Sequence, residues 1–120
     1  MQRPESIILV AEDPAAQMVG LIVGRASLEI GSPLGASAEI YNIGTRPFIR
    51  KTGVGSQLLR RFLEVCESRG AIQVWLEVRA FNYEAKAFYS SHGFLISAIR
   101  RNFYTAPVED AELMYLDLSR

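Results

Sequence analysis

The sequence predicts an α+β fold: a mixed, mostly antiparallel sheet with helices packed on it, in the order β-β-β-α-β-α-β-β. Three observations predict it. Short apolar runs bounded by Gly, Pro, Asn or Asp read as strands at both ends of the chain. From Val54 the period becomes helical, with Val54, Leu58, Leu59, Phe62, Leu63 and Cys66 recurring at a spacing of three to four. That helix lies between two strands and implies a parallel crossover, whereas the first strands are joined by a connection short enough to require antiparallel pairing.

Taken in order, Ser6 to Ala11 is a strand and Glu12-Asp13-Pro14 a turn, with proline presetting φ. Gln17 to Leu28 is a second, longer strand in which Gly20 and Gly24 suggest a bulge or a close backbone approach. Glu29 to Ala36 reads as a loop and Ser37 to Thr45 as the third strand. The helix from Val54 ends at Arg69-Gly70, with glycine at the left-handed capping position; its outer face carries Arg60, Arg61, Glu64 and Glu67, and Arg60 can pair with Glu64. Ile72 to Arg79 is a central strand, Ile72, Val74, Leu76 and Val78 on one face and Gln73, Trp75, Glu77 and Arg79 on the other. Asn82 has the chemistry of an N-cap and Glu84 suits a first turn, so a second helix runs to Ser91 and stops at His92-Gly93. Phe94 to Tyr104 is a strand, Thr105 to Asp110 a turn, and Ala111 to Leu118 the closing strand.

Composition bounds the function. The chain has 120 residues, 49% hydrophobic and 22% charged, which fits one soluble domain with a modest core. Its 13 basic and 13 acidic residues leave no net charge, which argues against a nucleic-acid partner. No apolar run reaches the roughly 18 residues of a membrane span, and no secretory signal is evident. One cysteine, Cys66, precludes an internal disulfide; it lies on the apolar helix stripe and reads as core in a reducing compartment, the cytoplasm.

The chemistry concentrates where the strand Ile40-Tyr41-Asn42-Ile43 runs through Gly44-Thr45-Arg46-Pro47 to Arg50-Lys51-Thr52-Gly53-Val54-Gly55-Ser56. Glycines let a backbone approach a ligand closely. The first amides of a helix lack internal partners and sit at the positive end of its dipole. Together these form a seat for a phosphate, although a plain strand-to-helix turn has the same look. The nucleoside-triphosphate P-loop is excluded by its missing G-K-[ST], and the dinucleotide fingerprint by Leu58 in place of its third glycine.

Arg50-x-x-Gly53-x-Gly55 at the head of an amphipathic helix resembles the acetyl-CoA motif of the GNAT N-acetyltransferases. The resemblance continues through Tyr41-Asn42-Ile43, Arg69-Gly70-Ala71, Trp75 to Ala80, Asn82, Phe88-Tyr89 to Gly93-Phe94, Arg100 to Tyr104 and Glu109-Asp110-Ala111, so it covers nearly everything from Ile40 onward. Within the family the likeness is greatest to the ribosomal-protein-alanine N-acetyltransferases, which acetylate protein N-termini. It implies a GNAT-like acyl-CoA N-acyltransferase fold, with a V-shaped splay between the strands carrying Ile43 and Leu76. It also implies acetyl-CoA as co-substrate, its pyrophosphate on the amides of Lys51 to Ser56 and its pantetheine arm along the backbone of Ile43, Gly44 and Thr45. Asn82 matches the asparagine that bonds the cofactor. Thr45 and Arg46 depart from the family, which often has a bulkier apolar residue and an acidic one there.

Acetyl transfer needs a base for the amine, a donor for the thioester oxygen and a donor for the leaving thiolate. Glu77, near the C-terminal end of the central strand, is the base the resemblance implies, acting through a water; pattern alone reads it as a surface glutamate paired with Arg79. Tyr89, two helical turns after Asn82, is the implied acid, since a phenol is protonated at neutral pH; its alternative is a core aromatic beside Phe88. His92, the sole histidine, sits at a helix end that favours cations, and no metal site is expected. Arg100 and Arg101 read as a solvated strand end, with substrate contact the alternative.

Family members carry a strand and a helical pair ahead of the strand matching Ser6 to Ala11, where Met1 to Glu5 stand here. That leaves Ile7-Ile8-Leu9-Val10 as an apolar edge, and the expectation is a homodimer whose second copy covers it. The expected activity is acetylation of a primary amine, the N-terminal α-amine of a protein or peptide. The alternatives are a small-molecule amine or lysine, and a non-catalytic CoA-binding regulatory or assembly subunit.

Overall fold

The structure is a computed structural model that describes residues 5–26, 36–46 and 53–119. The elements are β1 (Ser6–Glu12), β2 (Met18–Ala26), β3 (Ala36–Thr45), α1 (Val54–Ser68), β4 (Ala71–Arg79), α2 (Tyr83–Ser91), β5 (Leu95–Thr105) and β6 (Val108–Asp117). They form one sheet of order β1-β2-β3-β4-β6-β5, antiparallel throughout except for the parallel pair β3–β4. This is the α+β order expected from the sequence.

Alternation decides what each face of the sheet buries. Ile7, Ile22, Ile40, Val74, Leu76, Met114 and Leu116 point to the helices and are buried with Leu58, Leu59, Phe62 and Cys66 of α1. Tyr89 of α2 and Phe94 complete this core. Cys66 is fully buried, as its place on the stripe predicted, and burial pushes its thiol up to about 11. The opposite face carries Glu39, Trp75, Glu77, Arg79, Leu113 and Tyr115, cross-strand neighbours in register, and no described helix covers it.

One close approach fixes how deeply α1 sits. A Cβ on Gly24 would lie 2.1 Å from the Glu39 carbonyl oxygen and 2.6 Å from Phe62 Cζ, and β2 shifts register there. Only glycine lets the Phe62 ring reach that strand.

Three local expectations change. β6 begins at Val108 and not Ala111, because the turn is only Ala106-Pro107, with Thr105 pairing directly to Val108. The acidic Glu109-Asp110 that reads as turn composition is held in the ladder by side-chain bonds: Glu109 accepts from the Phe81 N–H at 2.8 Å and Asp110 from the Asn102 N–H at 2.8 Å. On α1, Glu64 pairs with Arg61 at 3.7 Å rather than with Arg60. The expected loop from Glu29 lies outside the described residues up to Gly35. No described helix is long and apolar enough to cross a membrane.

Candidate active site

β3 and β4 pair in parallel only at their beginnings, from Ala36↔Ala71 to Glu39↔Trp75. Beyond that point the two strands part, so β3 from Ile40 to Thr45 and β4 from Leu76 to Arg79 have no ladder between them. β4 remains paired to β6 on its other side. The result is the V-shaped splay, with a cavity on each face of the sheet.

The cavity on the helix face has a volume of about 640 Å³. It is lined by Ile43, Gly44 and Thr45 of β3, by Gly53, Gly55 and Ser56 at the start of α1, and by Asn82, Phe88 and Tyr89 from α2. Eight of the residues expected from the sequence to hold the cofactor therefore share one space: Ile43, Gly44, Thr45, Gly53, Gly55, Ser56, Asn82 and Tyr89. Val54 faces the core instead, partly buried against it. Arg50, Lys51 and Thr52 lie outside the described residues.

The start of α1 is built for an anion. Gly53 is its N-cap at φ 90°, a conformation that strains any side-chain-bearing residue. The helical ladder begins with the Gln57 N–H donating to the Gly53 carbonyl at 2.9 Å. The preceding amides fall before it, no side chain among the described residues caps the end, and the first turn holds no acidic residue. A helix start without a side-chain acceptor leaves its N–H groups and dipole for a ligand.

The second wall is α2. The Asn82 side chain accepts from the Ala85 N–H at 3.2 Å, so it is a true N-cap that also borders the cavity. Two carboxylates of β6 hold this region to the sheet. Glu109 takes the Phe81 N–H and the Arg79 guanidinium (3.3 Å), and Glu112 pairs with Lys86 at 3.0 Å, both partners largely buried. Tyr89 packs edge-on against Phe88 and Phe94 at 5.4 and 5.5 Å between ring centres. It is thus both a core aromatic and a cavity wall, and burial pushes its phenol up to about 12. The phenol is fully protonated at neutral pH.

At the far end of α2, His92 forms a 3.0 Å hydrogen bond between its Nε2 and Ser56 Oγ and lies 5.0 Å from the Phe88 ring. A helix end was expected to favour its charged form. Its pKa is lowered instead, first by burial and then by the Arg60 guanidinium.

The second cavity, about 580 Å³, opens on the uncovered face. Glu39 and Tyr41 of β3, Trp75 and Glu77 of β4, and Arg100, Phe103 and Tyr104 of β5 line it. Glu77 does not pair with Arg79. Its Oε1 lies 3.5 Å from Arg100 Nη1, while Arg79 binds Glu109 and lies 3.9 Å over the Tyr104 ring. Register explains this: Glu77 is level with Leu113 on β6, which is level with Ala98 on β5, so Arg100 is one diagonal step away. Arg100, read from the sequence as a solvated strand end, is therefore a wall of this cavity, 5.5 Å from the Phe103 ring. The wall formed by Tyr41, Trp75, Phe103 and Tyr104 was not singled out from the sequence either; nothing local marks it, since its members come from three strands. Among the described residues no cluster of acidic, histidine or cysteine side chains suits a metal ion.

A parallel strand pair parting at the sheet centre, with an anion-seeking helix start beside the gap, defines a class: the acyl-CoA N-acyltransferase fold. The chain belongs to the GNAT acetyltransferase family, whose Acetyltransferase (GNAT) pattern matches residues 1–94. Over 84 residues it is 42% identical to the [Ribosomal protein bS18]-alanine N-acetyltransferase of Salmonella typhimurium, covering 68% of this chain and 57% of that protein. The chain thus spans little more than half the length of that relative. The crystal structure of the ribosomal-protein-S18-alanine N-acetyltransferase from Escherichia coli superposes with a TM-score of 0.84 at 32% identity, covering 99% of this chain and 73% of that one. Nourseothricin acetyltransferase also superposes with a TM-score of 0.84, at 27% identity over 96% of this chain and 66% of that chain.

Proposed function

We propose that this protein is an acetyl-CoA-dependent N-acetyltransferase acting on a primary amine, the N-terminal α-amine of a protein or peptide. The observation that carries this reading is the splay between β3 and β4, flanked by a helix start that no described side chain caps, in a cavity on the helix face, and by a carboxylate-bearing cavity on the open face. Acetyl-CoA supplies the activated acetyl group as a thioester. The amides from Gly53 to Ser56, capped by no side chain among the described residues, hold its pyrophosphate, with Arg50, Lys51 and Thr52 contributing. The unpaired edge of Ile43, Gly44 and Thr45 takes its pantetheine arm as an added strand.

The acceptor enters from the open face, along Tyr41, Trp75 and Tyr104. Glu77, one-third exposed, takes the ammonium proton through a water and frees the nitrogen lone pair. As the amine and this water bind, the contact between Glu77 and Arg100 gives way to one between Glu77 and the water. The nitrogen then bonds to the acetyl carbon while the carbon–sulfur bond breaks, and the nitrogen's second proton passes to solvent. Tyr89 donates to the departing thiolate. A phenol near 12 is a weaker acid than a thiol near 8.5, so Tyr89 stabilises the thiolate by a hydrogen bond, and solvent supplies the proton that the thiol finally carries.

A second reading, acetylation of a small-molecule amine, is favoured by the open second cavity and the likeness to nourseothricin acetyltransferase. An acetylation screen decides between them. Peptides starting in Ala, Ser or Met should be acetylated on the α-amine, and aminoglycosides, polyamines and lysine poorly; the reverse order makes the small-molecule reading correct. A reducing compartment such as the cytoplasm suits the reduced, buried Cys66. Ile8 and Val10 on the edge strand β1 are about half exposed, which supports a homodimer closed over that edge. Sedimentation giving twice the monomer mass, reduced by Ile8→Lys, tests it.

A further inference from the structure

Ser56 and His92 meet at the junction of the two helices that flank the cofactor cavity. Ser56 is the third residue of α1 and lines the cavity beside Gly53 and Gly55. His92 closes the C-terminal end of α2, its ring held between Phe88 and Ser56. The direction of the Oγ···Nε2 bond depends on the protons of the ring. If Nε2 is bare, the Ser56 hydroxyl donates to it and presents only lone pairs to the cavity. If Nε2 carries a proton, the histidine donates to Oγ, and the hydroxyl is free to donate outward. An anion in the cavity repels the first arrangement and favours the second, most strongly when the ring is an imidazolium.

We propose that His92 is a positioning residue for the phosphate seat: its Nε2 holds the Ser56 hydroxyl so that it donates to a cofactor phosphate, and the ring takes up a proton as that anion docks. This rests on the reading of the helix-face cavity as the acetyl-CoA site. In the free protein two influences lower the ring's pKa, partial burial and the Arg60 guanidinium one turn further along α1. Arg60 is the charge that bears on the ring among the described residues; its other neighbours, Phe88 and Ser56, are neutral. A docked pyrophosphate opposes both influences. The histidine's pKa rises on binding, so cofactor affinity increases as pH falls through its titration range.

His92 is the only histidine in the chain, so its ring proton signals can be followed without assignment ambiguity in protein freed of any histidine tag. The free protein should titrate below 6.5, and saturating CoA should raise the midpoint by about one pH unit. Pantetheine, which lacks the phosphates, should leave it in place. In His92→Gln the amide still donates to Ser56 but does not titrate. Between pH 5 and 8 the wild-type affinity for CoA should gain up to about tenfold over that of His92→Gln, the most that a midpoint raised by about one pH unit can contribute; titration of the cofactor's own phosphate is common to both and cancels. A histidine midpoint unmoved by CoA, an equal rise with pantetheine, or identical pH dependence in the two proteins overturns the proposal while leaving the cofactor site intact. Failure of the wild type to bind CoA at all removes the cofactor reading and this inference together.

Discussion

The two faces of the splayed sheet are made in different ways. The helix face is built from backbone: unpaired edge groups of Ile43 to Thr45, a left-handed Gly53, and amides at the start of α1 that no side chain among the described residues caps. Few side chains are needed, and most belong to two local motifs. The open face is built from side chains on three strands, Glu39 and Tyr41 on β3, Trp75 and Glu77 on β4, Arg100 and Tyr104 on β5. In the proposed reaction the difference separates two tasks. A pyrophosphate and a pantetheine arm are the same in every reaction and can be read by invariant backbone. An acceptor amine has to be deprotonated and its neighbourhood recognised, which takes titratable and aromatic groups. The comparison predicts that substitutions on the open face change turnover and acceptor choice without touching cofactor affinity, and that those on the helix face do the opposite.

Glu77→Gln is the strongest test of the open face. Loss of the proposed general base should lower turnover by about 10²–10⁴-fold, while CoA affinity measured by calorimetry stays within error of wild type. A matching loss of CoA affinity would show that the two faces are not separable.

Tyr89→Phe stands at the boundary, because Tyr89 lines the helix-face cavity and is proposed to stabilise the departing thiolate. Losing a hydrogen bond to a developing charge should slow turnover by about 10–10²-fold with the fold retained. The same variant has a second readout. Tyr89 is neutral in the folded chain up to about pH 12, whereas an unfolded tyrosine ionises near 10, so its contribution to stability is complete below pH 10 and is lost as pH rises towards 12. Tyr89→Phe should therefore unfold less steeply with pH above 10 than wild type does, as followed by circular dichroism.

Arg100→Gln should have the smallest effect. Arg100 is half exposed, and its pair with Glu77 contributes at most about 1 kcal/mol to stability. The melting temperature should hardly move. The acceptor KM should change by a few-fold, with CoA affinity constant. An unchanged KM for every acceptor would remove Arg100 from the acceptor wall.

The same contrast explains what could be read in the sequence. The helix face was legible, because its signals are local: a glycine pair after a strand, the stripe from Val54, and Asn82 ahead of a helix with Tyr89 two turns on. Gly24 was legible as a close approach, though not that Phe62 would fill the space. On the open face Glu77 could be named but its partner could not. Alternation along β4 points to Arg79, two residues away on the same face. The true neighbour, Arg100, is set by the register of β4 on β6 and of β6 on β5, and the second of these shifts at Ile96–Ala98 and again between Arg100 and Tyr104. Such offsets have no short sequence signature. The early start of β6 escaped for a related reason, since Glu109 and Asp110 find their partners, Phe81 and Asn102, only after the strands align.

The central claim, that the bare start of α1 seats the cofactor's phosphates, is tested most directly by calorimetric titration of CoA into Ser56→Asp. Aspartate in the first turn of a helix is favourable to folding by about 0.3–1 kcal/mol, so the variant should melt no lower than wild type. Its carboxylate would occupy the seat and repel the phosphates, and CoA affinity should fall by more than about tenfold, the cost of one unfavourable charge contact of roughly 1.4 kcal/mol. A folded Ser56→Asp protein that binds CoA as tightly as wild type would contradict the account.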